Sequence, residues 1–364
     1  MPRKPAPLAT SSASPTPSNG ATLMNVAQAA SVSLATASRV FSNPEMVRQD
    51  TAERVLRAAG ELGFRPNLLG AKLRAQRTRI VGVMLPTLEN AVFAECWRGI
   101  EEAALTQGYS LMLVTSRYDP ERERERIEYL LRHRVDGMVL TVADAARSAV
   151  LDQLDAERVP YVLAYNQGTR RGKHYSVSVD NRVSARAGVE TLIAAGHRRI
   201  AVVSGAFAAS DRAKQRYAGY QDAMRAHGLD PLPPLPLPAH TPTHTPEEAE
   251  HIRRLVTAPR APTALFCTND MLAIGVISIL KRLGLSVPGD ISVLGYDGIE
   301  LGQLLEPPLS TVVQPNNEIG ARALECLLAR LNSPGAEAAP DRALPRATLL
   351  PHAIRAGASV GPPP

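Results

Sequence analysis

The chain has 364 residues, a formal net charge of +6, 45% hydrophobic residues and three cysteines. That length provides for two or three domains with substantial cores. The widely separated Cys96, Cys267 and Cys326 form no C-x-x-C and no metal-ligand spacing, so they read as core residues of a reduced, cytoplasmic protein with no metal. The charge is unevenly spread: Thr22 to Arg79 holds nine basic residues against four acidic ones. A small basic head on a near-neutral body is the footprint of a contact with a polyanion, most simply DNA phosphates, with a solvated basic face as the alternative.

Residues 1–21, rich in Pro, Ser, Ala and Thr, read as a disordered tail. They contain neither a secretory signal nor a membrane span. Thr22 to Val40 then holds two short helical patterns. Thr22 caps the first, with Leu23, Val26, Ala27 and Ala30 on its apolar face. Ser31-Val32-Ser33 breaks the pattern, and Ser33 caps a second helix that turns Ala37, Val40 and Phe41 inward. Leu34, Ala35, Ser38 and Arg39 are left facing outward, the layout of a helix-turn-helix. A third helix, about Asp50 to Leu62, carries Val55, Leu56, Ala59 and Leu62 as its buried stripe. Gly63 stops it and Phe64 folds back on the small core. The segment 67–77 has helical spacing but contains Gly70, and reads as a hinge that folds on binding or as a plain linker.

From Thr78 onward strands and helices alternate. Continuous apolar strands such as Ile80 to Leu85 predict parallel sheets covered on both faces. One run of βα units extends to Ala164, and a second starts near Ser176 and ends with the strand Ile291 to Tyr296. This predicts two doubly wound α/β lobes that bind ligand at the carboxyl ends of their strands. The proline-rich stretch 230–246 reads as an extended surface connection, Thr245 and Glu248 as a capping box, and the end 357–364 as frayed. No G-x-G-x-x-G, G-x-x-x-x-G-K-[ST] or G-x-S-x-G occurs, which argues against an enzyme and against a cofactor.

The order T-L-x-x-V-A-x-x-A-x-V-S-x-x-T-x-S-R-V over 22–40 resembles the lactose/galactose repressor (LacI/GalR) family of bacterial transcription regulators. Further matches are R-P-N at 65–67, G-H-R-R-I at 196–200, R-x-x-G-Y at 216–220, T-N-D at 268–270 and V-P-x-D-I-S-V-x-G-Y-D at 287–297. The resemblance covers about 22–356. It implies a helix-turn-helix head (22–66), a hinge (67–77) and a two-lobed α/β core like a periplasmic binding protein (78–356). The first lobe would take 78–174 and 312–340, and the second 175–309. It further implies a homodimer or dimer of dimers on two-fold symmetric operator DNA, switched by a small-molecule effector, with no membrane partner.

Carried over position by position, Leu34 and Ala35 fall on the base readers and Arg39 on an arginine suited to guanine. Ser33, Thr36, Ser38 and Asn67 fall on phosphate-contacting positions, and Leu73 on a leucine that enters the minor groove. Asn90, Phe93, Tyr165, Arg216, Asn269 and Asp297 fall on the effector pocket. Capping or packing is the structural alternative for each of these residues. Departures from the pattern are Ser31 for the glycine of the turn, Asn25 for aspartate, Arg48 for a capping Ser or Thr, and Gly70 inside the hinge. Low aromatic content (4%) favours a sugar, sugar acid or related metabolite over a large planar ligand. A solute-binding protein for transport is the alternative function, disfavoured by the missing signal and the basic head.

Overall fold

The computed structural model describes residues 21–64, 77–167, 174–237, 244–332 and 345–364. The chain divides into two compact units, 1–78 and 79–364. Most of the expected tail and hinge, including Asn67, Gly70 and Leu73, lies outside the described residues.

The head packs α1 (Leu23–Ala29), α2 (Leu34–Ser42) and α3 (Gln49–Glu61) around Val26, Ala27, Ala37, Val40, Val55, Ala58 and Ala59. Thr22 and Asn25 form a reciprocal capping box. The Asn25 N–H donates to Thr22 Oγ1 (3.3 Å) and the Thr22 N–H to Asn25 Oδ1 (2.9 Å), so the amide replaces the usual carboxylate. Ser31 takes φ +52, the conformation for which glycine is best suited. A side chain there costs about 1 kcal/mol, offset in part by the bond from Val32 N–H to Ala27 O at 3.0 Å. Helix α3 starts at Arg48 without a side-chain cap, as its sequence leads one to expect. Its buried stripe differs from the expectation. Leu56 and Leu62 are 53% and 42% exposed, and Ala58 takes the inward place. Residues 55, 58 and 59 share one helical face, whereas 56 lies about 100° round the axis from 55. Phe64 closes the core against Phe41, with ring centroids 5.6 Å apart.

In the second unit, one sheet runs in the order β11-β5-β4-β3-β1-β2, all parallel. Its strands are β1 (Ile80–Leu85), β2 (Ser110–Thr115), β3 (Gly137–Leu140), β4 (Tyr161–Ala164), β5 (Ser176–Val179) and β11 (Ala347–Leu350). The other sheet runs β12-β10-β9-β8-β6-β7. Its strands are β6 (Ile200–Gly205), β7 (Leu235–Leu237), β8 (Ala264–Cys267), β9 (Ser292–Asp297), β10 (Ser310–Val313) and the antiparallel β12 (Ala353–Arg355). Helices α4 (Ala91–Thr106), α5 (Pro120–Arg132) and α6 (Ala149–Ala156) belong to the first lobe. Helices α7 (Asn181–Ala194), α8 (Asp211–Ala226), α9 (Pro246–Val256) and α10 (Asp270–Arg282) belong to the second, and α11 (Asn316–Asn332) returns to pack on α4. The central strands are buried on both faces, which is why they read as unbroken apolar runs.

Three boundaries differ from the sequence reading. Strand β5, expected to open the second lobe, completes the first sheet beside β4 and β11. Strand β10, expected to return to the first lobe, pairs with β9, so the return begins only at α11. The end 357–364 is not frayed. Val293 N–H donates to Ser359 O (2.8 Å), Ser359 Oγ accepts from Ser310 N–H (2.8 Å), and Gly361 O lies 2.9 Å from His197 Nε2. Small polar residues in this tail satisfy backbone groups of β9 and β10, which outweighs its loop-like composition. The chain thus passes between lobes three times, at 179–181, 313–316 and 350–353. Within the proline-rich stretch, Leu235-Pro236-Leu237 forms the sheet's edge strand, where a residue without an N–H is tolerated.

Helices α4 and α11 meet backbone to backbone. A Cβ on Gly99 would lie 2.0 Å from Asn317 O, and one on Gly320 would lie 2.0 Å from Cys96 O.

Candidate functional site

In the head, Ser33 Oγ accepts from the Thr36 N–H (3.0 Å) and lies 2.8 Å from Thr36 Oγ1, fixing the start of α2. Burial of Ala37 and Val40 then sets the opposite face: Leu34 (48% exposed), Ala35 and Arg39 stand in solvent, with Ser38 half-buried. Six of the eight residues assigned to DNA contact therefore occupy one cap and one helix. The other two, Asn67 and Leu73, are outside the described residues.

In the core, all six residues assigned to the effector line one pocket. They arrive there because each follows, or lies on a helix that follows, the carboxyl end of a strand. Three helix N-caps converge: Asn90 of α4, Ser210 of α8 and Asn269 of α10, accepting from the N–H groups of Val92 (3.2 Å), Ala213 (3.3 Å) and Leu272 (2.8 Å). Arg216, on α8, is held from three sides. Its Nη1 donates to Asp297 Oδ1 (3.1 Å) and Thr268 O (2.5 Å), its Nε donates to Asn181 Oδ1 (2.9 Å), and the guanidinium lies 3.6 Å from the Tyr296 ring centroid. Asp297 ends β9 at φ +120 and also accepts from Gln314 Nε2 (2.8 Å). Burial pushes its carboxyl up to about 6, against the lowering by Arg216 and Gln314.

Tyr165 contributes a wall more than a polar group. Its hydroxyl donates to Val92 O (2.9 Å), its ring meets Phe93 edge-on at 5.5 Å, and Tyr118 lies beyond Phe93 at 6.3 Å. Three aromatic side chains thus share the pocket in a chain with 4% aromatic residues, so overall scarcity was no guide to this site. Sequence reasoning also missed Tyr118, Ser210, Arg212, Thr268 and Gln314. Arg212 had a usable signal, standing one helical turn before Arg216. Asn166, next to Tyr165, bridges the lobes, its Nδ2 donating to Asp211 (2.8 and 3.0 Å) and to Val142 O (2.9 Å).

The seam continues where the loop after β3 meets the start of α8. Ala145 N–H donates to Asp211 Oδ2 (3.1 Å), Asp211 N–H to Ala143 O (2.8 Å), and Lys214 pairs with Asp144 (2.7 Å). Beneath it Glu123 is buried and accepts from Ala143 N–H (2.7 Å). Burial pushes its carboxyl up to about 7. A carboxyl raised in the folded state contributes stability that is full below its unfolded pKa and is lost as pH rises through the folded value. The thermal midpoint of the core should therefore fall between pH 5 and 8. Glu123→Gln, which keeps an acceptor for Ala143, should make the core more stable than wild type by on the order of 1–3 kcal/mol at pH 8, with little difference at pH 4. Melting curves across that range check it.

Residues 22–67 match the lacI family of bacterial regulatory proteins, and residues 189–351 match a periplasmic binding protein-like domain. The chain is 34% identical over 316 residues to the HTH-type transcriptional repressor PurR of Haemophilus influenzae, an alignment covering 85% of this chain and 91% of that one. The chain belongs to the LacI family. The HTH-type transcriptional repressor CytR of Escherichia coli is 32% identical over 85% of this chain and 89% of its own length. Among solved structures, the lac repressor dimer bound to operator and the anti-inducer ONPF superposes with a TM-score of 0.81 at 25% identity, over 94% of this chain and all of that one. A CelR–cellobiose complex superposes with a TM-score of 0.67 at 27% identity, over 93% and 99% of the two chains. As a LacI-family member the chain is a DNA-binding transcriptional regulator with an effector-binding core, which sets aside the transport alternative. Among the described residues no helix is long and apolar enough to cross a membrane.

Proposed function

We propose that this LacI-family chain is a repressor acting as a homodimer on a two-fold symmetric operator, its affinity switched by a small polar effector held between the lobes. The observation that carries the reading is the convergence of Asn90, Phe93, Tyr165, Arg216, Asn269 and Asp297 on one interlobe pocket. The likeness to the lac repressor dimer on its operator supports the dimer and the two-fold site, since two heads read adjacent half-sites. The likeness to a cellobiose complex supports a ligand of sugar-like size and polarity. Ligand closing the lobes would shift the spacing of the two heads, so one binding event alters the other.

Within the head, Leu34 and Ala35 offer no side-chain hydrogen bonds and discriminate by contact with thymine methyl groups, leaving Arg39 the polar readout. Arg39→Ala should cost about 1–3 kcal/mol in operator binding and relax specificity at one base pair. Titrating the variant against an operator series mutated one base pair at a time tests this. Discrimination unchanged at every position would remove α2 from the major groove. A thermal-shift screen of metabolites, with hits retested for their effect on operator binding, tests the effector half of the reading.

A further inference from the structure

Among the described residues that line the pocket, Arg212 alone has a fully buried side-chain nitrogen without a hydrogen-bond partner. Its side chain is 6% exposed, and its Nη1 donates to Val142 O (2.9 Å) and Asp211 Oδ1 (3.1 Å). Its Nη2 is buried with no acceptor among the described residues. A buried guanidinium N–H without a partner is costly, and native proteins seldom leave one unless something else supplies the acceptor. The neighbouring Asp211 carboxylate is already shared among Asn166, Ala145 N–H and Arg212 Nη1.

Beyond Asp211, which pairs with Nη1, positive charge converges on the pocket. Helices α4 (16 residues), α8 (16 residues) and α10 (13 residues) all aim their N-termini at the pocket through Asn90, Ser210 and Asn269. Helix N-termini carry partial positive charge. Arg212 and Arg216 add two cations from one face of α8, and the lining contains a single carboxylate, Asp297, which Arg216 and Gln314 already occupy.

We infer that the effector carries an oxyanion, a carboxylate or a phosphate, seated on Arg212 Nη2 at the N-terminus of α8, with its remaining body against Phe93 and Tyr118. This rests on the pocket being the effector site and narrows the class of ligand. Arg212 sets specificity: it accepts the anionic member of a pair of otherwise similar metabolites through a charge-assisted bond that the neutral member cannot form.

The test uses the full chain, with inorganic phosphate and acetate as the two anion probes at ionic strength held constant with chloride. One or both should raise the thermal midpoint of the wild-type core, and whichever does so identifies the group. Arg212→Gln should weaken that binding about ten- to hundredfold. Ser210→Asp provides a second variant that still caps α8 but sets a fixed negative charge at the same spot, and it should abolish the response with the fold intact. No shift with either anion, or a shift that survives both substitutions, overturns the inference. A neutral metabolite that binds the wild type, loses its effect in Arg216→Ala and keeps it in Arg212→Gln also overturns it, while leaving the pocket as the effector site.

Discussion

Arg216→Ala should destabilise the core by about 3–5 kcal/mol and abolish its response to effector, while the head keeps its own operator contacts. The size follows from what the guanidinium holds. Removing it leaves the buried Asp297 without its cationic partner, and strips a donor from Thr268 O and from Asn181. It also takes the cation from over the Tyr296 ring. With Arg216 gone, the Asp297 carboxyl should rise further above its value of about 6 and stay protonated near neutrality. Arg216→Lys should fall between the two, because an ammonium keeps the charge but cannot reproduce the fork. Calorimetry of the full chain should show the core transition moving alone, and operator titrations with and without ligand should show the response lost. A variant that melts like wild type and still responds would take Arg216 out of the pocket.

Gly320→Ala should be nearly as damaging, from a single added methyl group. The added Cβ would lie 2.0 Å from Cys96 O and 2.9 Å from Cys96 C. These are backbone atoms of α4, so no rotamer change relieves the clash and the two helices must separate. Such overpacking costs more than about 3 kcal/mol at the severe end of its range. The effect should also reach the pocket. Helix α11 begins at Asn316, whose amide donates to Glu95 (2.9 Å) and Asp297 O (3.2 Å), two residues after Gln314 meets Asp297. Denaturant unfolding should show the loss of stability, and ligand titration a weakened response. Wild-type stability in Gly320→Ala would mean that the helices stand further apart than described.

What was legible in the sequence divides along a physical line. Local signals were read well. Thr22, Ser33 and Thr245 cap the helices they were expected to cap, and Phe64 folds onto Phe41. The central strands of both lobes lie where their apolar runs put them, whereas β7, β11 and β12 were not read as strands. Non-local pairing was not legible. Nothing in Ser176–Val179 says that its neighbours are β4 and β11, and nothing in Ser310–Val313 says that it stays beside β9. The tail at 357–364 has a loop's composition, and only its partners on β9 and β10 give it order. The six pocket residues came from resemblance to a family, not from periodicity. The additional lining residues Tyr118, Arg212 and Gln314 needed the three-dimensional arrangement, since no spacing links residues roughly a hundred positions apart. The close approach at Gly99 and Gly320 was equally hidden, because a glycine within a helical pattern does not say which backbone it meets.

The three passages of chain between the lobes govern what a ligand at the pocket can do mechanically. Two bodies on a single tether can tumble, and on two tethers can still swing about the line joining them. Three separate links, at 179–181, 313–316 and 350–353, suppress twisting and sliding and leave bending as the soft motion. A ligand that draws the lobes together therefore spends little of its binding energy choosing among directions of movement. Its pull is delivered as one angular displacement of the first sheet, whose β1 is the strand that follows the head in sequence.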